Sequence, residues 1–221
     1  MSDVKVNDAL DAARVKAQGI VAQSVAKALQ AKGYEAVAVG TKEEALAEVL
    51  KLIPAGASVG VPGTVTVREI GAMEKLAERG CTIYEHWSPN IKPEDRMRIL
   101  DDENHADYLL TSANAITRDG KILNIDGTGN RVSGMAWGRG TLIFVIGVNK
   151  VVPDLEAGLQ RVHMATLPNS LRLNITPPCA QTGFCVDCDS PARTCRALLI
   201  LERAVNGRKT HVIMVGENLG Y

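Results

Sequence analysis

The sequence predicts a three-layer α/β fold, an open, mainly parallel sheet with helices on both faces. Two observations carry this expectation. Apolar runs of strand length alternate with helical segments of roughly 10 to 15 residues, the pattern of parallel strands joined by right-handed crossovers. The chain has 221 residues, 46 % of them hydrophobic, which is enough to bury a core without covalent staples. No repeat, low-complexity tract or shift of composition divides it, so one domain over 1–221 is expected, with a cysteine-rich loop at 177–196.

The elements follow in order. Leu10, Ala13, Ala17, Val21, Ala28 and Leu29 recur mostly at steps of three and four, marking an amphipathic helix that stops at Gly33. YEAVAV is a strand. Thr41 and Glu44 have capping-box spacing ahead of ALAEVLKLI, a helix that ends before Pro54. ASVGV is a buried strand, VREIGAMEKLAERG one helix, CTIYEHW a strand, and PEDRMRILDDENH a helix opened by Pro93. DYLLTSA and TLIFVIGVNKVV are further strands. Between them, AITRDGKILNIDGTGN reads as a hairpin turning at Asp119-Gly120, and RVSGMAWG as a short helix. DLEAGLQRVHMATL is helical, RALLILERAV is helix or strand, and HVIMVGENLGY is a last strand.

Lys plus Arg and Asp plus Glu are equal at 25 each, so nothing resembles the footprint of a nucleic-acid binder or a polybasic membrane anchor. The opening stretch lacks the organisation of a signal peptide, and no apolar run reaches membrane-spanning length. A soluble, cytoplasmic protein acting on a small molecule or a protein partner is expected. With two Trp, four Tyr and two Phe, no aromatic patch announces an interface, and a homodimer stays open.

Four of the five cysteines, Cys179, Cys185, Cys188 and Cys195, fall in one loop as C-x5-C-x2-C-x6-C. A reducing compartment and an odd count argue against structural disulfides. The foremost reading is a [4Fe–4S] cluster, whose four irons each want one thiolate. Structural Zn2+ and free or redox-active thiols are the alternatives, since only one C-x2-C knuckle is present. Thr182, Thr194 and the loop amides can bond to cluster sulfurs, and Arg193 and Arg196 can offset the charge. Cys81 starts an apolar run and reads as a buried small hydrophobe.

Two further stretches are candidate ligand sites. In GVPGTVTVREIG, Gly60, Gly63, Thr64 and Thr66 stand between a strand and a helix, where main chain and hydroxyls can approach a ligand, although neither a P-loop nor a dinucleotide fingerprint is present. In TSANAITRDGKILNIDGTGNR, Asn114, Asn124, Asp126, Gly127, Gly129, Asn130 and Arg131 crowd a turn-rich segment, either as turn chemistry or as a seat for phosphate or carboxylate at a helix start. Lys150 has a similar strand-end place and can bind an anion. The four histidines are scattered without an H-x3-H pair, and no G-x-S-x-G elbow exists, which disfavours zinc and serine hydrolases. Glu85 and His86, at a strand end, are candidates for general acid or base.

LTSANAITRDGKILNIDGTGNRVSGMAWG, VIGVNKVV, PCAQTGFCVDC with SPARTC, and VIMVGENLGY together resemble the lactate-utilisation (LUD) family over nearly the whole chain, in the short branch with a C-terminal four-cysteine motif. The resemblance implies a fold similar to sugar-phosphate isomerases and CoA transferases. It also implies a part in oxidation of lactate or another small 2-hydroxy or carboxylic acid, beside other redox subunits. The alternative is a non-redox metabolite-binding or regulatory protein with a structural metal and an anion cleft.

Overall fold

The computed structural model describes residues 2–221, with side chains from residue 7 onward. Six parallel strands form the larger sheet: β1 (Glu35–Val39), β2 (Ser58–Gly60), β3 (Thr82–Tyr84), β4 (Tyr108–Thr111), β7 (Thr141–Gly147) and β10 (Thr210–Val215). Their order is β1-β10-β7-β4-β2-β3, so the C-terminal strand is inserted between the first strand and the middle of the sheet. Burial on both faces explains the uninterrupted apolar run of β7. Leu142, Phe144 and Ile146 point into one core, and Ile143 and Val145 into the other.

Helices cover both faces of this sheet, as expected. On one side lie α2 (Lys42–Leu52), α3 (Val65–Glu69) and α4 (Ala72–Glu78), which enclose Val49, Val67 and Leu76 with the strand residues. The Thr41 hydroxyl caps α2 by accepting from the Glu44 amide, and the Glu44 carboxylate reaches back to the Gly40 amide at 2.6 Å. On the other side, α1 (Ser2–Ala31) packs on β1 and β10. Its buried stripe is Ala22, Val25, Ala26 and Leu29, one residue out of phase with the expected stripe at Val21. Leu10, Ala13 and Ala17 are exposed because the helix meets the sheet only in its C-terminal half.

A second sheet was not expected from the sequence. It holds β8 (Val151–Val152), β5 (Ala115–Thr117), β6 (Ile122–Asp126) and β9 (Ala197–Leu201), in the order β8-β5-β6-β9. β5 and β6 are the two arms of the expected hairpin, and RALLILERAV resolves as a strand paired antiparallel to β6. The core shared with α1 lies beneath one face, and α7 (Leu155–Met164) covers the other. TLIFVIGVNKVV is therefore two strands: β7 ends at Gly147, and a short 3-10 turn, Val148–Lys150, carries the chain into β8.

Two smaller corrections concern glycine and proline. VREIGAMEKLAERG breaks into α3 and α4 because Gly71 adopts a left-handed conformation with φ of 69°. Pro93 opens a 3-10 turn, Pro93–Asp95, before α5 (Arg96–His105) rather than the α-helix itself. CTIYEHW is extended only over β3. Three short helices complete the chain: α6 (Asn130–Ala136), α8 (Thr166–Arg172) and α9 (Cys179–Thr182). No helix among the described residues is long and apolar enough to cross a membrane.

Candidate functional site

A cleft of about 680 Å³ opens at the carboxyl ends of the parallel strands, where open α/β sheets seat their ligands. The turn after β2 supplies Gly63, Thr64 and Thr66, the end of β3 supplies His86, and the residues after β4 supply Asn114. From the second sheet come Asp126 and Gly127, followed by Asn130 and Arg131 of α6, and Lys150 arrives from the turn after β7. The two sequence stretches singled out for ligand binding thus meet in one cleft.

Three expected residues stand elsewhere. Gly60 is buried under α5, where a Cβ would fall 1.9 Å from the Glu103 carbonyl oxygen, so its missing side chain admits a helix rather than a ligand. Gly129, with φ of 93°, shapes the turn into α6 and does not border the cleft. Glu85 is held by Arg68 at 2.6 Å and by the Trp87 amide at 2.9 Å and does not line the cleft.

His86 has a different partner. Its Nδ1 lies 2.6 Å from Oε1 of Glu103, which is fully buried on α5 and also accepts from the Asn130 side chain, Nδ2, at 3.3 Å. Burial pushes the Glu103 carboxyl above the usual range, and the bonds from His86 and Asn130 oppose that rise. A carboxylate that orients a cleft-facing imidazole is the arrangement of a general acid or base. In the sequence Glu103 is hidden beside two other acids of its helix, Asp101 and Asp102. It stands three residues after the buried Leu100, so it falls on the apolar stripe of that helix.

Lys150 is 3 % exposed, and its ammonium group donates to the hydroxyls of Thr66 and Ser112, both at 2.9 Å. Burial, then Arg161 and Arg131, lower its pKa to about 7, against an opposing pull from Glu69. Arg131 donates to the Ile125 carbonyl at 2.6 Å, while its buried Nε has no partner. Asp126 orders the turn into α6 by accepting from the amides of Gly127 and Arg131. Asn124 and Asn114 knit the hairpin together, their side-chain oxygens accepting from the amides of Asn114 and Ile125.

Arg96, Arg172, Arg193 and Arg196 add to the lining, and Asp126 is the only acidic side chain among the described lining residues. Overall neutrality therefore conceals a cationic cleft, suited to a small anion. Trp87, also in the lining, has two guanidinium groups over its ring, with Arg68 4.5 Å and Arg172 3.7 Å from the ring centre.

The side chains of Cys179, Cys185, Cys188 and Cys195 line a second, small cavity with His163, Thr166, Arg193 and Thr194. All five cysteines are free thiols, and Cys81 is buried in the core beside α4, as expected. Burial and the neighbouring Cys195, Cys188 and Cys185 push the Cys179 thiol upward. His163 Nδ1 is buried without a partner. The hydroxyl that reaches a cysteine belongs to Thr166, 3.2 Å from Cys195 Sγ. Thr182 bonds instead to the Phe184 carbonyl, and Thr194 to Ser170. Arg193 holds the loop by donating to the carbonyls of Cys188 at 2.6 Å and Cys195 at 2.8 Å. The four thiols thus share one small cavity with an orphaned histidine nitrogen and a guanidinium, the donor types a thiolate-held metal group needs. Among the described residues, no three or more His, Cys, Asp or Glu side chains are gathered closely enough to hold a single ion.

One solved structure bears out the fold. The chain is similar to a DUF162 family protein from Deinococcus radiodurans, with 14 % identity, a TM-score of 0.52, and coverage of 90 % of this chain and 98 % of that one. Partial likenesses to the translation initiation factor eIF-2B of Pyrococcus horikoshii OT3 (17 % identity, TM-score 0.35, 51 % and 47 % covered) and to eIF2B beta of Chaetomium thermophilum (13 %, 0.36, 51 % and 43 %) are too weak to bear on the site. No curated protein matches the sequence significantly. The family model for the LUD domain matches residues 22–215, which takes in both sheets, the cysteine loop and all of the cleft lining but Gly220 and Tyr221, and by that match the chain belongs to the LUD domain family.

Proposed function

We propose that this protein takes part in the oxidation of lactate or another small 2-hydroxy or carboxylic acid, binding the acid in the cationic cleft and holding a [4Fe–4S] cluster in the cysteine loop. The observation that carries the reading is that Thr166, Arg193 and Thr194 line both cavities, so one wall separates the substrate seat from the thiols. The family's link to lactate utilisation gives the substrate class.

The chain's own residues divide the work. Arg131, Arg172 and Arg193 attract and orient a carboxylate. His86, positioned by Glu103, takes or returns a proton at the substrate hydroxyl. Cys179, Cys185, Cys188 and Cys195 hold the cluster, which supplies one-electron transfer when bound. A lone zinc would draw its four sulfurs to about 2.3 Å from one centre. The four cysteines line one small cavity, and the four irons of such a cluster each want one thiolate.

A second reading has its own support. Arg196 donates its amide to the Asp126 carbonyl at 2.9 Å, so the loop is also stitched to the cleft, and a metal there can act as a staple for a non-redox metabolite binder. Anaerobic purification of the full chain, with metal and sulfide analysis and a reductive titration, decides between them. Iron, sulfide and a reversibly bleached absorption are expected. Cys188→Ser is expected to lose them, keep its circular dichroism and bind lactate or pyruvate more weakly. Zinc in place of iron, with unchanged acid binding in the variant, would establish the staple.

A further inference from the structure

We infer that Lys150 is a carbonyl-capturing amine, which forms a reversible imine with a 2-oxo acid in the cleft. The inference rests on the proposed anion cleft and goes beyond it, because it turns the oxidised acid from a released product into a covalently held ligand.

The placement of Lys150 carries it. A lysine that merely neutralises a bound anion is ordinarily solvated or paired with a carboxylate, whereas this one is buried and has no carboxylate within ion-pair reach among the described residues. Its polar partners are two neutral hydroxyls of the cleft lining, Thr66 and Ser112. Arg131, Arg161 and Glu69 are the charged groups that bear on it, two cations against one acid, and together with burial they hold its pKa near 7, leaving a large unprotonated fraction at neutral pH. A lone pair is thereby available on a nitrogen that borders a cavity of substrate size.

The step balances without an oxidant or reductant. The Lys150 lone pair attacks the keto carbon of the 2-oxo acid, and the carbonyl π electrons move to oxygen, which is protonated. The resulting carbinolamine loses that oxygen as water while a proton leaves nitrogen, giving a C=N bond. Thr66 and Ser112, each 2.9 Å from Nζ, are placed to pass the protons between nitrogen and oxygen. The substrate carboxylate remains free for the arginines of the cleft. Lactate, with a hydroxyl in place of the keto group, can occupy the same seat but cannot form the bond.

Reductive trapping tests this on the full chain, with pyruvate and cyanoborohydride as the probe and intact-mass and peptide mapping as the readout. One carboxyethyl group per chain, mapped to Lys150, is expected, with none when lactate replaces pyruvate. Lys150→Met should lose the adduct. Ser112→Ala, which keeps the amine, should trap about a hundredfold more slowly, the lower end of what a lost proton-transfer partner costs. Adduct spread over other lysines, or unchanged in Lys150→Met, overturns the inference. Calorimetric titration with pyruvate separates the two proposals: pyruvate that binds without an adduct refutes the imine and keeps the anion cleft, and pyruvate and lactate that both fail to bind refute the cleft as well.

Discussion

The floor of the cleft and the cysteine loop at its rim are ordered by opposite means. Floor residues sit at the ends of strands from two sheets, and their positions are fixed by close contact: Gly60 against the main chain of α5, Lys150 between two hydroxyls, Asp126 on two amides. No helix or strand exists between α9 and β9. The loop is tied down by guanidinium groups on carbonyls, with Arg193 reaching Cys188 and Cys195, and Arg196 reaching Arg193 and Pro191. Cys185 is exposed there, and Phe184 is 73 % exposed. Packing and buried hydrogen bonds hold the floor in shape, whereas the loop is the part of the molecule that a bound metal can order most.

The strongest test of this contrast is Gly60→Ala. The new Cβ would meet the Glu103 carbonyl oxygen at 1.9 Å and its carbon at 2.7 Å, which are main-chain atoms that cannot rotate away. A loss of about 3 kcal/mol is expected in denaturant unfolding, the upper range for overpacking, along with misplacement of His86 through α5. A variant of near wild-type stability would mean that α5 is loosely held and that the floor is not rigid.

Glu103→Ala comes next. It leaves His86 Nδ1 and Asn130 Nδ2 without their acceptor, at a cost of about 2 kcal/mol. Glu103→Gln keeps an acceptor and removes the charge, so it separates the bond from the ionisation. Because burial raises the Glu103 pKa above its unfolded value, ionising it in the folded state is unfavourable, and wild type should lose stability relative to the Gln variant as pH rises through and above the carboxylate range. Parallel pH curves for the two proteins would show that the carboxyl is solvated.

Legibility in the sequence followed the same division. Strand and helix alternation announced the six-stranded sheet because its strands are continuous apolar runs such as LIFVI. The second sheet stayed hidden because β8 has two residues and β9 reads equally as a helix, so its pairing is decided by the tertiary contact with β6. Floor residues were found through local turn chemistry, in which glycine, threonine and asparagine cluster beside a strand end. Glu103 and Arg172 act from helices distant in sequence from the residues they serve, and spacing carries no record of that. The cysteines were visible from their confinement to one loop, but His163 and Thr166, which approach them from α7 and α8, were not.

Lys150→Met sharpens the comparison on the floor itself. A lysine whose folded pKa is lowered to about 7 binds fewer protons in the native state than in the unfolded chain between that value and the ordinary lysine range. Over that window wild type should therefore gain stability on the methionine variant as pH rises, by at most about 1.4 kcal/mol per unit, and the difference should be flat below it. A constant difference across the window would place the ammonium group in water.

The smallest effect belongs to the loop. Gly183 follows α9 in a left-handed conformation with φ of 76°, its amide donating to the Cys179 carbonyl at 3.0 Å, and a Cβ there would meet nothing within 4 Å. Gly183→Ala therefore carries only backbone strain, about 1 kcal/mol. Since the loop is exposed and lies outside the three apolar cores apart from Cys195, that strain should be spent on local opening rather than global unfolding. The thermal midpoint is expected to stay near that of wild type while limited proteolysis between residues 183 and 196 becomes faster, and loading the metal group should restore protection to both proteins. A fall in midpoint as large as that of Gly60→Ala would show that the loop unfolds with the sheet, and the contrast between a self-ordered floor and a ligand-ordered rim would fail.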